Sequence, residues 1–326
     1  MATNIYKRPL STLEESHRKP LKTIVQRILS TQRAEYVLAQ VADSLPTKDS
    51  AKYKRHAIEE RIETRLAPTA EGRGTVRAWK EELEANSSNI GVDSLEIEAE
   101  VLERYQQSTL RTREFKLHLI EIVAIAIHTL AAQLFAATNK PPYKCPAPRP
   151  KVIYVDGWPK QTDELAPSEH ESCLFHDDYL DIDLYSMGVA DIVGYWAETH
   201  LFGGVVVSDH GKEDTEFLEV FLHPDSNFKV FRLSDTQIDA FIAFGLYGEP
   251  TFPFDFPIKA ERDAVRLLPE LTLGYNIYRS RNDRHPEELP QHWRPPCVQW
   301  GEDDPVMMEF IKKCNKGELR KGVDYN

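Results

Sequence analysis

Residues 188–211 read GVADIVGYWAETHLFGGVVVSDHG, and how this stretch folds decides the architecture around it. β-Branched and aromatic residues crowd it from Val189 to Ala197 and again from Leu201 to Ser208, the composition of strands. Glu198-Thr199-His200 is a hairpin-length connection, so a central β-hairpin is predicted. Gly194 and Gly203-Gly204 fit bulges or the close approach of another backbone. In such a hairpin Tyr195 and Trp196 point to opposite faces. One enters the core, and the other either lines a groove for a small apolar ligand or a peptide or lies under the Pro-rich C-terminal segment.

Downstream, Glu216–Leu222 and Phe228–Leu233 continue an antiparallel meander through the turns Asp209-His210-Gly211 and His223-Pro224-Asp225. Ser234 with Gln237 three residues on predicts a capped helix over 235–246. The rest alternates proline-rich pieces with a short helix near Glu261–Leu268, a strand over Leu271–Tyr278 and a helix over Met307–Lys313. Trp293, Pro295, Pro296 and Trp300 suggest a strap across the main body.

Upstream the pattern is helical. Leu21–Val41 carries an apolar stripe entered through Pro20, and Lys52–Leu66 is a charged amphipathic helix. Gly72-Arg73-Gly74 reads as a break before a short helix around Trp79–Glu84. Asp93 with Glu96 resembles a capping box opening a long helix, 93–137, with a break available at Ser108-Thr109. Its second half, LHLIEIVAIAIHTLAAQLFA (117–136), is apolar nearly all round, so it is buried in protein or in a bilayer. Glu121 and His128 are expensive in hydrocarbon, which favours a core helix and no membrane.

The chain of 326 residues is 41% hydrophobic and 28% charged, a globular composition. Its start has no apolar signal segment. The four cysteines (Cys145, Cys173, Cys297, Cys314) form no CxxC pair and read as reduced thiols, which predicts a cytoplasmic or nuclear location. Residues 151–258 hold 5 Lys+Arg against 21 Asp+Glu, a net of −16. That block repels phosphate backbones, so nucleic acid is not its expected partner.

Candidate chemistry concentrates in the acidic, histidine-rich block 170–223. His200 and His210 at strand ends, with Asp191 or Glu198, have the ligand types of a divalent metal site. His176-Asp177-Asp178 has the letters of the HD pair of metal phosphohydrolases, but in a turn-rich connector instead of on helices. His176 and Asp178 join the metal candidates, and Asp191 and Glu198 are the candidate acid/base pair. All of these are also ordinary turn or surface residues. His118, Glu121 and His128 share one face of the long helix, which suits either metal ligation or hydrogen bonds to a neighbouring β layer. No nucleophile elbow, P-loop or dinucleotide loop is present, and no cofactor is indicated.

RxxEFKLHLIEIVAIAIH, GVADIVGYWAE, LFGGVVVSDHG and VFLHP resemble a family of predicted filamentous-fungal proteins over about residues 110–245. The resemblance implies a fungal source and a place beside a secondary-metabolite pathway, and it transfers no activity. The expected fold is α+β: a helical region 1–140, an acidic connector 141–187, and an antiparallel sheet region 188–326. The long buried helix packs on the β-meander, and a Pro-rich C-terminal wrap closes the unit. The expected function is that of an intracellular, non-enzymatic accessory or regulatory protein acting through a protein partner. The alternative is a metal-dependent enzyme or small-molecule-binding protein using block 170–223.

Overall fold

Thr31 divides what the apolar stripe presents as a single helix. Its hydroxyl accepts the Ala34 amide at 3.1 Å and its backbone is extended, so helix α1 (Glu15–Ser30) ends and α2 (Gln32–Ala42) starts there. Pro20 lies inside α1 instead of at its entry. The computed structural model describes residues 6–51, 66–85, 91–141, 149–155, 158–166, 172–211, 216–225, 229–247, 255–272 and 275–280. The predicted helices over 52–66 and 307–313, and the Pro-rich wrap with its two tryptophans, lie outside the described residues.

After a single turn, α3 (Lys48–Ala51), comes α4 (Ala70–Glu84). Thr69 caps α4 by accepting the Gly72 amide, and Gly72 sits where a Cβ would meet the Asp43 carboxyl at 2.4 Å. The Gly72-Arg73-Gly74 stretch is therefore a close helix crossing, not a break. The expected helix over 93–137 is also two. Asp93 lies in a 3₁₀ turn, and Glu96–Glu98 form strand β2, paired with β1 (Lys7–Pro9) in register Arg8↔Ile97. Helices α5 (Ala99–Gln107) and α6 (Arg113–Thr138) follow. Between them the Ser108 and Thr112 hydroxyls donate to the carbonyls of Tyr105 and Thr109, and Arg111 takes a left-handed φ of 68°. Such hydroxyl-to-backbone bonds compete with helical continuation.

Helix α6 is the axis of the core. It is long and apolar enough to cross a bilayer, yet 78% of its most apolar window is buried inside the protein. Leu119, Ile122, Val123, Leu130, Leu134 and Phe135 are fully enclosed. In the connector, β3 (Arg149–Val155) covers the strand that Lys151–Val155 suggests, and it pairs with β4 (Trp158–Ala166), where flap or loop was expected, with Val155 opposite Trp158. Cys173 is buried and disulfide-bonded, so the expectation of four reduced thiols does not hold there.

The opening stretch departs most from expectation. Val189–Phe202 is not a strand but helix α7, and it packs along α6. Gly188 (φ 58°) precedes it, and Gly203 (φ 98°) ends it in the left-handed conformation typical of a C′ glycine. A Cβ on Gly203 would lie 2.3 Å from the Ile258 carbonyl oxygen. Periodicity cannot tell a short, fully buried helix from a buried strand, because both are apolar all round.

The sheet begins at β5 (Val205–Asp209). It continues through β6 (Glu219–His223) and β7 (Val230–Arg232) to helix α8 (Asp235–Tyr247). Ser234 Oγ accepts the Gln237 amide, and Gln237 Oε1 accepts the Ser234 amide, the reciprocal cap its sequence predicts. Arg266–Leu267 is strand β8 where a helix was expected. Leu271–Tyr278 is a short helix α9 (Pro269–Thr272) followed by β9 (Ile277–Tyr278). All neighbours in the order β8-β7-β6-β5-β9 are antiparallel. Val206, Val220, Leu222 and Phe231 face the α6 core, while Val205, Val207, Phe221 and Val230 pack with Tyr179 and Tyr195. The architecture is α+β, with a long helix buried between helices and an antiparallel sheet.

Candidate metal centre

Helical geometry at 189–202 brings Asp191 and Glu198 together. Seven residues apart, they share a helix face, and both reach His128 on α6. His128 Nε2 is 3.2 Å from Asp191 Oδ1, and Nδ1 is 3.7 Å from Glu198 Oε2. Gly194 makes the approach possible, since a Cβ there would lie 2.8 Å from His128 Cε1. The carboxylates have further partners. Asp191 Oδ2 accepts the Met187 amide at 2.7 Å, and Glu198 Oε1 accepts the Val206 amide at 2.7 Å. Arg279 donates to Glu198 Oε2 at 3.0 Å and to the Val206 carbonyl at 2.9 Å. All four side chains are buried.

Burial alone would lower the His128 pKa, but hydrogen bonds and charge from Asp191 and Glu198 raise it above its ordinary value. Burial acts upward on Asp191, and the bond and charge of His128 bring it below the ordinary carboxylate value. The candidate acid/base pair is thus an ion-paired cluster pinning α7 to α6 and to β5.

Glu121 and His118 form a second buried group one heptad earlier on α6. Glu121 lies 3.6 Å from Arg104, 3.5 Å from His118 Nδ1, and accepts from Ser208 of β5 at 3.4 Å. Burial pushes the Glu121 carboxyl up, yet these neighbours and His210 bring it below its ordinary value. His118, Glu121 and His128 of α6 therefore serve two clusters, and both clusters are bonded to β5.

The third group combines two sequence candidates with a residue not singled out as a ligand. His176 and Asp178 lie in the turn before Tyr179, and His223 ends β6. One ligand atom from each falls within 4.8 Å of the other two. Asp178 Oδ2 is 3.1 Å from His223 Nε2 and 3.8 Å from His176 Nδ1. A tetrahedral ion with bonds of 2.0–2.2 Å needs ligand atoms roughly 3.3–3.6 Å apart, and the two Asp178 distances, 3.1 and 3.8 Å, fall on either side of that spacing.

Outer contacts set the imidazoles. His176 Nε2 donates to the His223 carbonyl at 3.1 Å, which leaves Nδ1 as the lone-pair nitrogen. That lone pair accepts the Asp178 amide at 3.2 Å and would pass to a metal. Tyr179 Oη lies 3.1 Å from His223 Nδ1, orienting Nε2 toward Asp178. Nε2 is buried with no well-aligned hydrogen-bond partner. Ring hydrogen bonds of this kind support metal-binding histidines. His176 and His223 are enclosed, while the Asp178 side chain is 47% exposed, so the centre opens to solvent on one side. Gly204 holds the scaffold close, since a Cβ there would meet the His223 backbone at 2.7 Å.

His200 and His210, expected to join this site, are placed elsewhere. His200 lies on α7 beside Trp196, and its carbonyl accepts both Nε and Nη2 of Arg33. His210 is buried and stacks on Tyr278 at 4.2 Å. Both had been positioned by the hairpin that α7 replaces. The residue missed as a ligand is His223, which no local signal marks. His128 had been singled out with His118 and Glu121, but its pairing with Asp191 and Glu198 follows only from the helical spacing of residues 191, 194 and 198. No protein family, curated protein or solved structure matches this chain.

Proposed function

We propose that the protein binds one divalent transition-metal ion through His176 Nδ1, Asp178 Oδ2 and His223 Nε2, and that its function depends on that ion. The convergence of these three atoms around a half-open position carries the proposal. Two imidazoles and one carboxylate, with coordination left for solvent or substrate, suit zinc(II) and non-haem iron(II). The ion would act there as a Lewis acid or as the holder of a reactive water.

A second reading keeps the protein as a non-enzymatic accessory factor, in the fungal secondary-metabolite context that the resemblance suggests, with the ion as a structural clip. It draws on the origin of the ligands: two come from the turn 176–178 and one from β6, so an ion would tie the connector to the sheet.

Metal analysis of the purified chain after equilibration with zinc(II), iron(II) or cobalt(II) and gel filtration tests the proposal. About one bound ion per chain is expected. His223→Ala and Asp178→Asn should each lose it, and His200→Ala should keep it. Metal-free wild-type protein, or retention in His223→Ala, would sink the proposal.

A further inference from the structure

We infer that the open coordination position at His176, Asp178 and His223 accepts a neutral or cationic ligand and rejects an anionic one; this rests on the metal reading above. The carrying observation is Asp225. Its Oδ1 lies 3.9 Å from His176 Nδ1, yet it is not one of the three converging ligands. With a metal–nitrogen bond of about 2.0–2.1 Å, the carboxylate oxygen stands within about 6 Å of the ion. Its place is fixed, because the side chain is only 13% exposed and Oδ1 accepts the Asp177 amide at 3.0 Å.

The surroundings reinforce this sign of charge. Asp177 is exposed beside the ligand turn, Asp181 and Asp183 follow it, and residues 172–187 contain no Lys or Arg. A divalent ion with Asp178 as ligand carries a net single positive charge. The Asp225 carboxylate offsets that charge. Sites that handle phosphate or carboxylate groups put Arg, Lys or amide donors where the anion must sit. Here carboxylates stand beside the open position, so an incoming anion meets repulsion and a ligand carrying an ammonium group meets attraction.

Cobalt(II)-loaded, full-length protein provides the test, because its visible bands respond to a ligand entering the open position. Three pyridines are titrated at pH 7 and low ionic strength: pyridine itself, 3-(aminomethyl)pyridine and pyridine-3-sulfonate. The meta substituent cannot chelate, so the donor stays the same while the charge changes from neutral to positive to negative. Each affinity is divided by that of the same pyridine for aqueous cobalt(II). The aminomethyl compound should bind at least about tenfold tighter than the sulfonate, with pyridine between them. Asp225→Asn, whose side-chain oxygen can still accept the Asp177 amide, should narrow the ratio to about threefold. Added salt should narrow it as well.

Equal or reversed affinities overturn the inference, and so does a cobalt centre that binds none of the three. Wild-type protein with no cobalt bands overturns the metal centre itself, an outcome read before any pyridine is added.

Discussion

The cluster at His128 and the cluster at His176 use the same residue types and are built for opposite ends. Around His128 the carboxylates of Asp191 and Glu198 also hold backbone amides, and Arg279 closes the far side. The group is buried, although His128 Nδ1, like His223 Nε2, has no aligned hydrogen bond. Around His176 and His223 the Asp178 carboxylate stands nearly half exposed, and Asp225 lies 3.9 Å from His176 Nδ1. Histidine beside acid is therefore no indicator of function by itself. What separates the two groups is exposure: the carboxylates beside His128 are buried, while Asp178 is open to solvent.

That contrast fails if the closed cluster is dispensable. Glu198→Ala removes the acceptor of both the Val206 amide and the buried Arg279 guanidinium. A loss of about 3–5 kcal/mol in urea unfolding is expected, and a loss below about 1 kcal/mol would show the network to be incidental. Gly194→Ala places a methyl against the His128 ring and should cost about 1–3 kcal/mol. In a double-mutant cycle, His128→Ala should relieve most of that cost, since the clash is with the ring alone. Additive losses would mean the glycine serves something other than the close approach.

The pH dependence sharpens the comparison further. The raised His128 value contributes stability that is complete below its unfolded pKa of about 6.5 and disappears as pH rises through the folded value. The lowered Asp191 value contributes stability that is complete above about 3.9 and disappears as pH falls through its folded value. The pair thus stabilises most between those limits. Wild type should weaken from pH 6.5 to 9 more steeply than His128→Gln, and parallel profiles would contradict the ion pair. The smallest stability effect belongs to the open cluster. Asp178→Asn, at an exposed position, should change unfolding by no more than about 0.5 kcal/mol while weakening metal binding at least about tenfold. A large stability loss without metal would move this cluster into the structural class.

Legibility followed the range over which each feature is decided. The burial of 117–136 and the cap at Ser234 and Gln237 depend on residues within a few turns, and both could be read directly. Two of the three proposed ligands lie two residues apart in one turn and were legible as candidates. His223 was not, because it comes from a strand 45 residues beyond Asp178. The long helix was expected to start at 93, but pairing of β2 with the distant β1 takes residues 96–98 away from it.

By itself, then, the sequence determined the α+β class, the central apolar helix and the acidic block in which histidines gather. Only the tertiary structure decided that Val189–Phe202 is a helix. Its residues are buried on almost every side, so hydrophobic periodicity does not separate a strand from a helix. The choice falls to packing along α6 and to the glycine ends, Gly188 and Gly203. That choice turns Asp191 and Glu198 onto one face toward His128, and places His200 on α7 beside Trp196, outside the group of His176, Asp178 and His223. Registry at His223, opposite Val205 and against Gly204, does the rest by bringing a third ligand to the turn that carries His176 and Asp178.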